Sequence, residues 1–409
     1  MLSRRAFLRS GVQTSALIAL APTVPAFLTH TARAAPAERD GRVLVAIQLE
    51  GGNDGINTVV PFKDEGYAKH RHTLRLPTDQ LLKINGEVGL HPAMADAARL
   101  LENGWLAVVQ GVGYPNPSRS HFRSKEIWES ARVDRREGSR KNEAAVDTGW
   151  LGLALDDGAR PADKAPDAVF VGTEDLPLAL WGRRAVASSL ARPEDYFLAL
   201  QGQANPAGVA AANGSDLAAF VTRHTLDAYA TCGQMADVLR AKGRGAGYPA
   251  TELAGRLEVI ARLLKGDVGT RVFYTTQAWY DTHAAQSPEH GRLLGEFSGA
   301  LRAFLDDLAA AKLADRVAVL VFSEFGRRVR ENGSQGTDHG TAGPVFVAGP
   351  GVRTGLVGKM PSLLDLEDGD LKMGLDFRQV YATVLEDWLG LPSQTALAAT
   401  FKRLPLFRT

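Results

Sequence analysis

Asp281 and His283 stand two residues apart in the stretch YDTH, and Asp338 and His339 stand side by side in GTDHG. Two residues apart on an extended chain or turn, side chains project to one side, whereas a helix would separate them by about 200°. Asp281 and His283 therefore suit a two-ligand clip for zinc or manganese. Taken alone they suit equally an aspartate that caps a helix, with the histidine hydrogen-bonded to it. Glu324 follows the apolar run VAVLVF (317–322) after one serine. Burying that carboxylate requires a partner, either a metal ion or a neighbouring arginine, Arg327 or Arg328. Arg327 has a second possible use, a bidentate grip on an anionic substrate.

Two further places carry competent side chains. In LEGGNDG, Asp54 follows two glycines that let the backbone turn tightly and approach a ligand. A carboxylate there can hold a hard or borderline cation, or it can close an Asn-Asp-Gly turn. In NPSRSHFR, Ser120 precedes a helical pattern. A serine at such a position caps the helix, and its hydroxyl also lies in the positive field that stabilises an alkoxide or a phosphoryl group. Arg119 and His121 can serve the same anion. In chain order these residues supply the parts of a two-metal site, with one ion activating an oxygen nucleophile and the other neutralising charge.

The elements that must position them read as strands at Arg42–Leu49, Trp105–Gln110, Ala168–Val171, Arg271–Thr275, Val317–Phe322 and Pro344–Ala348. Helical patterns alternate with them at Pro92–Asn103, His121–Arg132, Gly291–Ala311 and Phe377–Leu389. This alternation predicts an α/β fold with a mainly parallel central sheet and helices on both faces. Chemistry in such sheets gathers at the carboxyl edge, which is where Asp54, Asp281 and Glu324 fall. Residues 132–270, rich in charge at their start and in alanine and glycine later, read as an insertion or cap with a helical region from Ser215 to Leu264.

The first 34 residues have a basic start with Arg4-Arg5, an apolar centre and an Ala32-Arg33-Ala34 ending. This reads as an export signal rather than a membrane span, of twin-arginine type or else an ordinary secretory signal with adjacent arginines. Its removal takes away four arginines and no acid, moving the formal charge from +1 to −3. No basic surplus remains to argue for nucleic acid. The single cysteine, Cys232, cannot form an intramolecular disulfide.

The stretches LEGGNDGINTVVP, GLHPAM, GVGYPNPSRSHFRSKEIWE, GWLG, YDTH, VFSEFGRRVRENGSQGTDHG and DFRQVYATVLEDWLG resemble DUF1501, a family of twin-arginine-exported proteins, across almost the whole mature chain (35–409). The resemblance implies a branch of the alkaline phosphatase and sulfatase superfamily. It also implies one or two divalent metal ions, zinc, manganese or calcium. Carried across, it makes Asp54 the early metal ligand, Asp281, His283 and His339 a second cluster, and Glu324 a neighbour of the first ion. Ser120 becomes the nucleophile, with Ser118 its close competitor.

Two positions depart from the superfamily pattern. Phe325 stands where many members have a ligating histidine, so one metal position is empty, weak or completed by another residue such as Asp338. Pro115 stands where sulfatases carry the residue converted to formylglycine. The expected function is a periplasmic or secreted metal-dependent hydrolase of a small-molecule or glycan ester, phosphate rather than sulfate, whose partner during export is the twin-arginine translocase. The alternative is a non-catalytic envelope protein that keeps the fold and binds a glycan or a partner.

Overall fold

The structure, a computed structural model, describes residues 41–133, 147–158, 166–191, 238–239 and 247–408. The expected leader and much of the expected insertion lie outside the described residues. Among the described residues, nine strands form the main sheet: β1 Val43–Leu49, β2 Leu106–Gly113, β3 Ala168–Val171, β4 Ala187–Leu190, β5 Val272–Gln277, β6 Val317–Phe322, β7 Gly343–Ala348, β8 Gly355–Val357 and β9 Leu375–Asp376. Their order is β8-β2-β7-β6-β1-β5-β3-β4, with β9 also on β2. β7 runs antiparallel to both its neighbours, and the other pairings are parallel. The sheet is thus mainly parallel, as expected. Two strands, β3 and β4, come from within 132–270, so the described part of that segment extends the sheet.

All seven side chains of β1 are buried, because both faces of the sheet are covered. Val43, Val45, Ile47 and Leu49 face a core closed by α1 (Ala95–Glu102), α4 (Glu252–Lys265) and α5 (Gln286–Ala310). Leu44 and Ala46 face a second core closed by α2 (His121–Ser130), α3 (Trp150–Asp157) and α6 (Phe377–Thr383). The period-two alternation of a buried strand divides its side chains between these two layers. The α4 helix covers the C-terminal part of the predicted 215–264 helical region. Among the described residues, no helix is long and apolar enough to cross a membrane.

Parallel strands deliver their carboxyl ends to one edge of the sheet. The loops after β1, β2, β5 and β6 therefore meet there, together with the chain entering the antiparallel β7. On the second face, Trp150 is fully buried and stacks on Tyr381 with ring centroids 3.8 Å apart. Trp128 stacks on Phe377 at 4.5 Å. Trp150→Ala should cost about 3–5 kcal/mol through the cavity it leaves, measured as a lower urea midpoint with an unchanged slope.

Candidate metal centre

The loop after β1 turns through Gly51 and Gly52, with φ of 114° and 77°. A Cβ on Gly51 would lie 2.4 Å from the Asp281 nitrogen, and one on Gly52 would lie 2.2 Å from the Phe325 ring. Only glycine permits this turn and this approach. The loop after β6 doubles back: Arg327 and His339 form an antiparallel bridge that returns His339 to the sheet edge. The loop after β2 leads into α2, whose first residue is His121.

These loops bring three imidazoles onto one carboxylate. Oδ1 of Asp281 lies 3.0 Å from Nε2 of His283 and 3.0 Å from Nε2 of His339. The two Nε2 atoms lie 2.9 Å from each other. Nε2 of His121 lies 3.5 Å from Oδ2 of Asp281. Each opposite ring nitrogen faces an acceptor. Nδ1 of His121 meets Oε1 of Glu324 at 2.9 Å, Nδ1 of His283 meets Oδ1 of Asp338 at 3.2 Å, and Nδ1 of His339 meets the Arg119 carbonyl at 2.8 Å. With the three Nδ1 atoms placed to donate to these acceptors, neutral imidazoles would turn the lone pairs of Nε2 inward.

Burial would raise the Asp281 carboxyl, but Arg327 and His339 bring it down to about 2, so it is ionised at neutral pH. The hydrogen bond that His121 donates to Glu324 raises the His121 pKa against the effect of burial. Asn332, with His283, lowers that of Asp338. Lone pairs of two imidazoles and a carboxylate at about 3 Å repel unless a proton or cation lies among them. A tetrahedral site with bonds of about 2.0 Å sets its ligand atoms about 3.3 Å apart. The triangle of His283, His339 and Asp281 fits one face of such a site after slight spreading, with His121 at a further position. An imidazole-rich donor set suits zinc or manganese better than calcium, which takes oxygen ligands. His121, Asp281 and His339 by themselves can offer three ligand atoms within 4.8 Å of one another.

The structure places the remaining candidates differently. Asp54 is fully buried, and its two oxygens are held by Arg71 at 2.5 and 2.9 Å, with Gln286 donating at 2.5 Å. It faces an arginine rather than the imidazoles. Glu324 meets neither Arg327 nor Arg328; its Oε1 accepts from the Gly51 N–H at 2.9 Å and from His121. Glu324 and Asp338 therefore back histidines at the rim of the cluster. Arg327 is fully committed within the protein, donating to the carbonyls of Gly51, Gly52, Tyr280 and Thr337 and, at 2.6 Å, to Asp281. Arg119 donates through Nε and Nη2 to Asp370, on a hairpin between Leu366–Glu367 and Asp370–Leu371.

Ser120 is exposed at the N-cap of α2, and its side chain makes no cap hydrogen bond. Ser118 Oγ accepts from the Ser120 N–H at 3.2 Å. Phe325 is buried, its ring centroid 4.9 Å from that of His121 and 4.8 Å from that of His339. It packs as an apolar wall behind the two imidazoles. Arg71, Gln286 and Asp370 carry no local pattern that sequence reading can use, since each acts only through a partner far along the chain.

A family model described as "Protein of unknown function (DUF1501)" matches residues 42–401. No curated protein matches the sequence. Among solved structures, a protein in the alkaline phosphatase superfamily from Vibrio parahaemolyticus is similar at 13% identity and a TM-score of 0.37. That match covers 79% of this chain and 63% of the other, so the chain spans less than two thirds of that protein's length. The C-terminal periplasmic domain of EcEptC from Escherichia coli, in complex with Zn, is 10% identical over 88% of this chain and 87% of that one, with a TM-score of 0.41. The PsFucS1 sulfatase from Pseudoalteromonas sp. is 11% identical over 90% and 74%, with a TM-score of 0.38.

The Asp54–Arg71 pair sets an acid limit on stability. Burial pushes the Asp54 carboxyl up, but Arg71 and Gln286 more than reverse this, from 3.8 to about 2. The folded value lies below the unfolded one, so the contribution is present above about pH 4 and lost as pH falls toward 2, at about 2 kcal/mol. Asp54→Asn should remove this part of the acid dependence. It should also destabilise the protein by about 3–5 kcal/mol at neutral pH, because Arg71 is left buried without its anion. Urea unfolding at pH 6, 4 and 2.5 reads both effects.

Proposed function

Because the chain belongs to the DUF1501 family and turns three imidazoles toward one carboxylate, we propose that it is an exported metal-dependent hydrolase of anionic esters, phosphate rather than sulfate. The observation that carries this reading is the triangle of His283 Nε2, His339 Nε2 and Asp281 Oδ1, with edges of 2.9–3.0 Å. His121, Asp281, His283 and His339 would hold a single divalent ion. When bound, such an ion supplies Lewis acidity and makes a coordinated water more acidic. Glu324, Asp338 and the Arg119 carbonyl hold the imidazoles in the tautomer that offers Nε2. Arg327 keeps Asp281 ionised and fixed in place.

Ser120 is the preferred nucleophile. Its hydroxyl stands at the positive end of α2, is not spent on capping, and precedes a residue of the cluster. Ser118 is the alternative. Pro115, in the place of the formylglycine precursor, argues against that sulfatase chemistry. The basic leader supports export through the twin-arginine route, which would deliver the centre already folded. A second reading, a non-catalytic envelope protein that binds a ligand, is favoured by the commitment of Arg327 and Arg119 to protein groups and by Phe325 at the wall of the centre.

Metal analysis separates these readings. Protein folded in the cytoplasm should carry about one equivalent of zinc or manganese, and His283→Ala or His339→Ala should release it. Glu324→Gln and Asp338→Asn should weaken metal binding about 10- to 100-fold, as expected for groups that orient ligands. Metal-free wild-type protein would favour the binding reading.

Ser120→Ala should keep the metal and lose p-nitrophenyl phosphate hydrolysis on the order of a thousandfold. Undiminished turnover would end the proposal of a covalent intermediate at Ser120.

A further inference from the structure

Two large aromatic side chains remain in solvent beside the centre. Phe122, directly after His121, is 91% exposed, and Trp279, two residues before Asp281, is 74% exposed. Phe122 lies in the first turn of α2 and Trp279 in the loop after β5, and the residues they flank, His121 and Asp281, meet at 3.5 Å. Trp279 also adopts φ of 81°, a left-handed conformation that disfavours any residue with a Cβ and that glycine takes freely.

The backbone on either side of Trp279 is fixed. Gln277 pairs with Leu49 in the sheet, and the Tyr280 N–H donates to the Glu50 carbonyl at 3.0 Å. The Tyr280 ring is fully buried, and its hydroxyl donates to Gln277 at 3.1 Å. The turn between them calls for a left-handed residue, and glycine would supply one without strain. The residue present instead holds an indole out in water, where it contributes nothing to the core. Strain and exposed apolar surface coincide on one residue, two positions before Asp281 of a polar, ion-competent centre, which marks a group that faces a ligand.

The surroundings specify the kind of ligand. An acyl chain needs an apolar groove, whereas these two residues flank the polar His121 and Asp281, which meet each other at 3.5 Å. A flat ring face with negative charge density attracts polarised C–H bonds, and a pyranose offers such bonds on one face with hydroxyls around its edge. We propose that Trp279 and Phe122 form a sugar-binding subsite, so that the substrate is a carbohydrate ester whose pyranose stacks on Trp279 while the ester group enters the centre. This subsite rests on the hydrolase reading for its substrate, though its affinity for sugar is a separate property.

The test is calorimetric titration of the metal-loaded protein with cellohexaose, maltohexaose and chitohexaose. Metal content and thermal midpoint are measured on the same preparations. Wild type should bind at least one hexaose, with Trp279→Ala weakening it about tenfold and Phe122→Ala about threefold. Trp279→Gly relieves the left-handed backbone, so it should keep or raise the thermal midpoint while losing sugar affinity about as far as Trp279→Ala. A merely structural role would lower the midpoint instead.

Absence of binding to all three hexaoses, or full affinity in the Trp279 variants, overturns the subsite. So does a dimer, seen by sedimentation, that Trp279→Ala dissolves, because the rings would then serve contact between copies. Sugar binding by a protein that carries no metal would sustain the subsite and sink the hydrolase reading. Bound metal without sugar binding would do the reverse.

Discussion

The guanidinium of Arg327 holds the sheet edge together. It is buried, and its acceptors come from the loop after β1, the loop after β5 and the returning loop after β6. A buried charge is tolerable only with near-complete hydrogen bonding and an opposite charge, and the four carbonyls and Asp281 provide both. The planar fork also sets the angles among these loops, which a lysine ammonium cannot do. Asp281 is consequently oriented on its protein side, and its other contacts are left to the imidazoles.

The same commitment explains where sequence reading succeeded and where it failed. Strands Ala168–Val171 and Val317–Phe322 have the bounds that their apolar runs predict, because a strand buried on both faces announces itself by composition. The Asp-x-His spacing gives a touching pair because Asp281 and His283 lie outside any helix, and the α5 N-cap is Ala285 rather than Asp281. By contrast, Asp54 has the sequence surroundings of a ligand and the structural surroundings of an ion pair. Its partner Arg71 is set by tertiary packing, which no local pattern records. His121 looked like an anion contact, yet the direction of α2 turns its ring to Glu324 and Asp281. Two-residue strands such as β9 are too short for any period to be visible.

Phe325 and Asp54 bear jointly on how much charge the centre holds. Asp54 is neutralised by Arg71, and Phe325 contributes no charge at all. Asp281 is partly balanced by Arg327, and the histidines are neutral when they present lone pairs. The other two carboxylates at the rim, Glu324 and Asp338, are engaged by His121 and His283, so such a donor set would balance one divalent ion better than two.

The Arg327–His339 bridge makes the centre a long-range assembly. His121, Asp281 and His339 are joined by no local segment, so the site exists only once β2, β5 and β6 are in register. An ion held there would act as a cross-link among distant loops, and its binding free energy would add to the stability of the whole sheet. Contacts of this kind form late, after the long loops have closed. They therefore slow unfolding more than they speed folding, and the edge that carries the candidate centre would double as a brake on the molecule's own loss of structure.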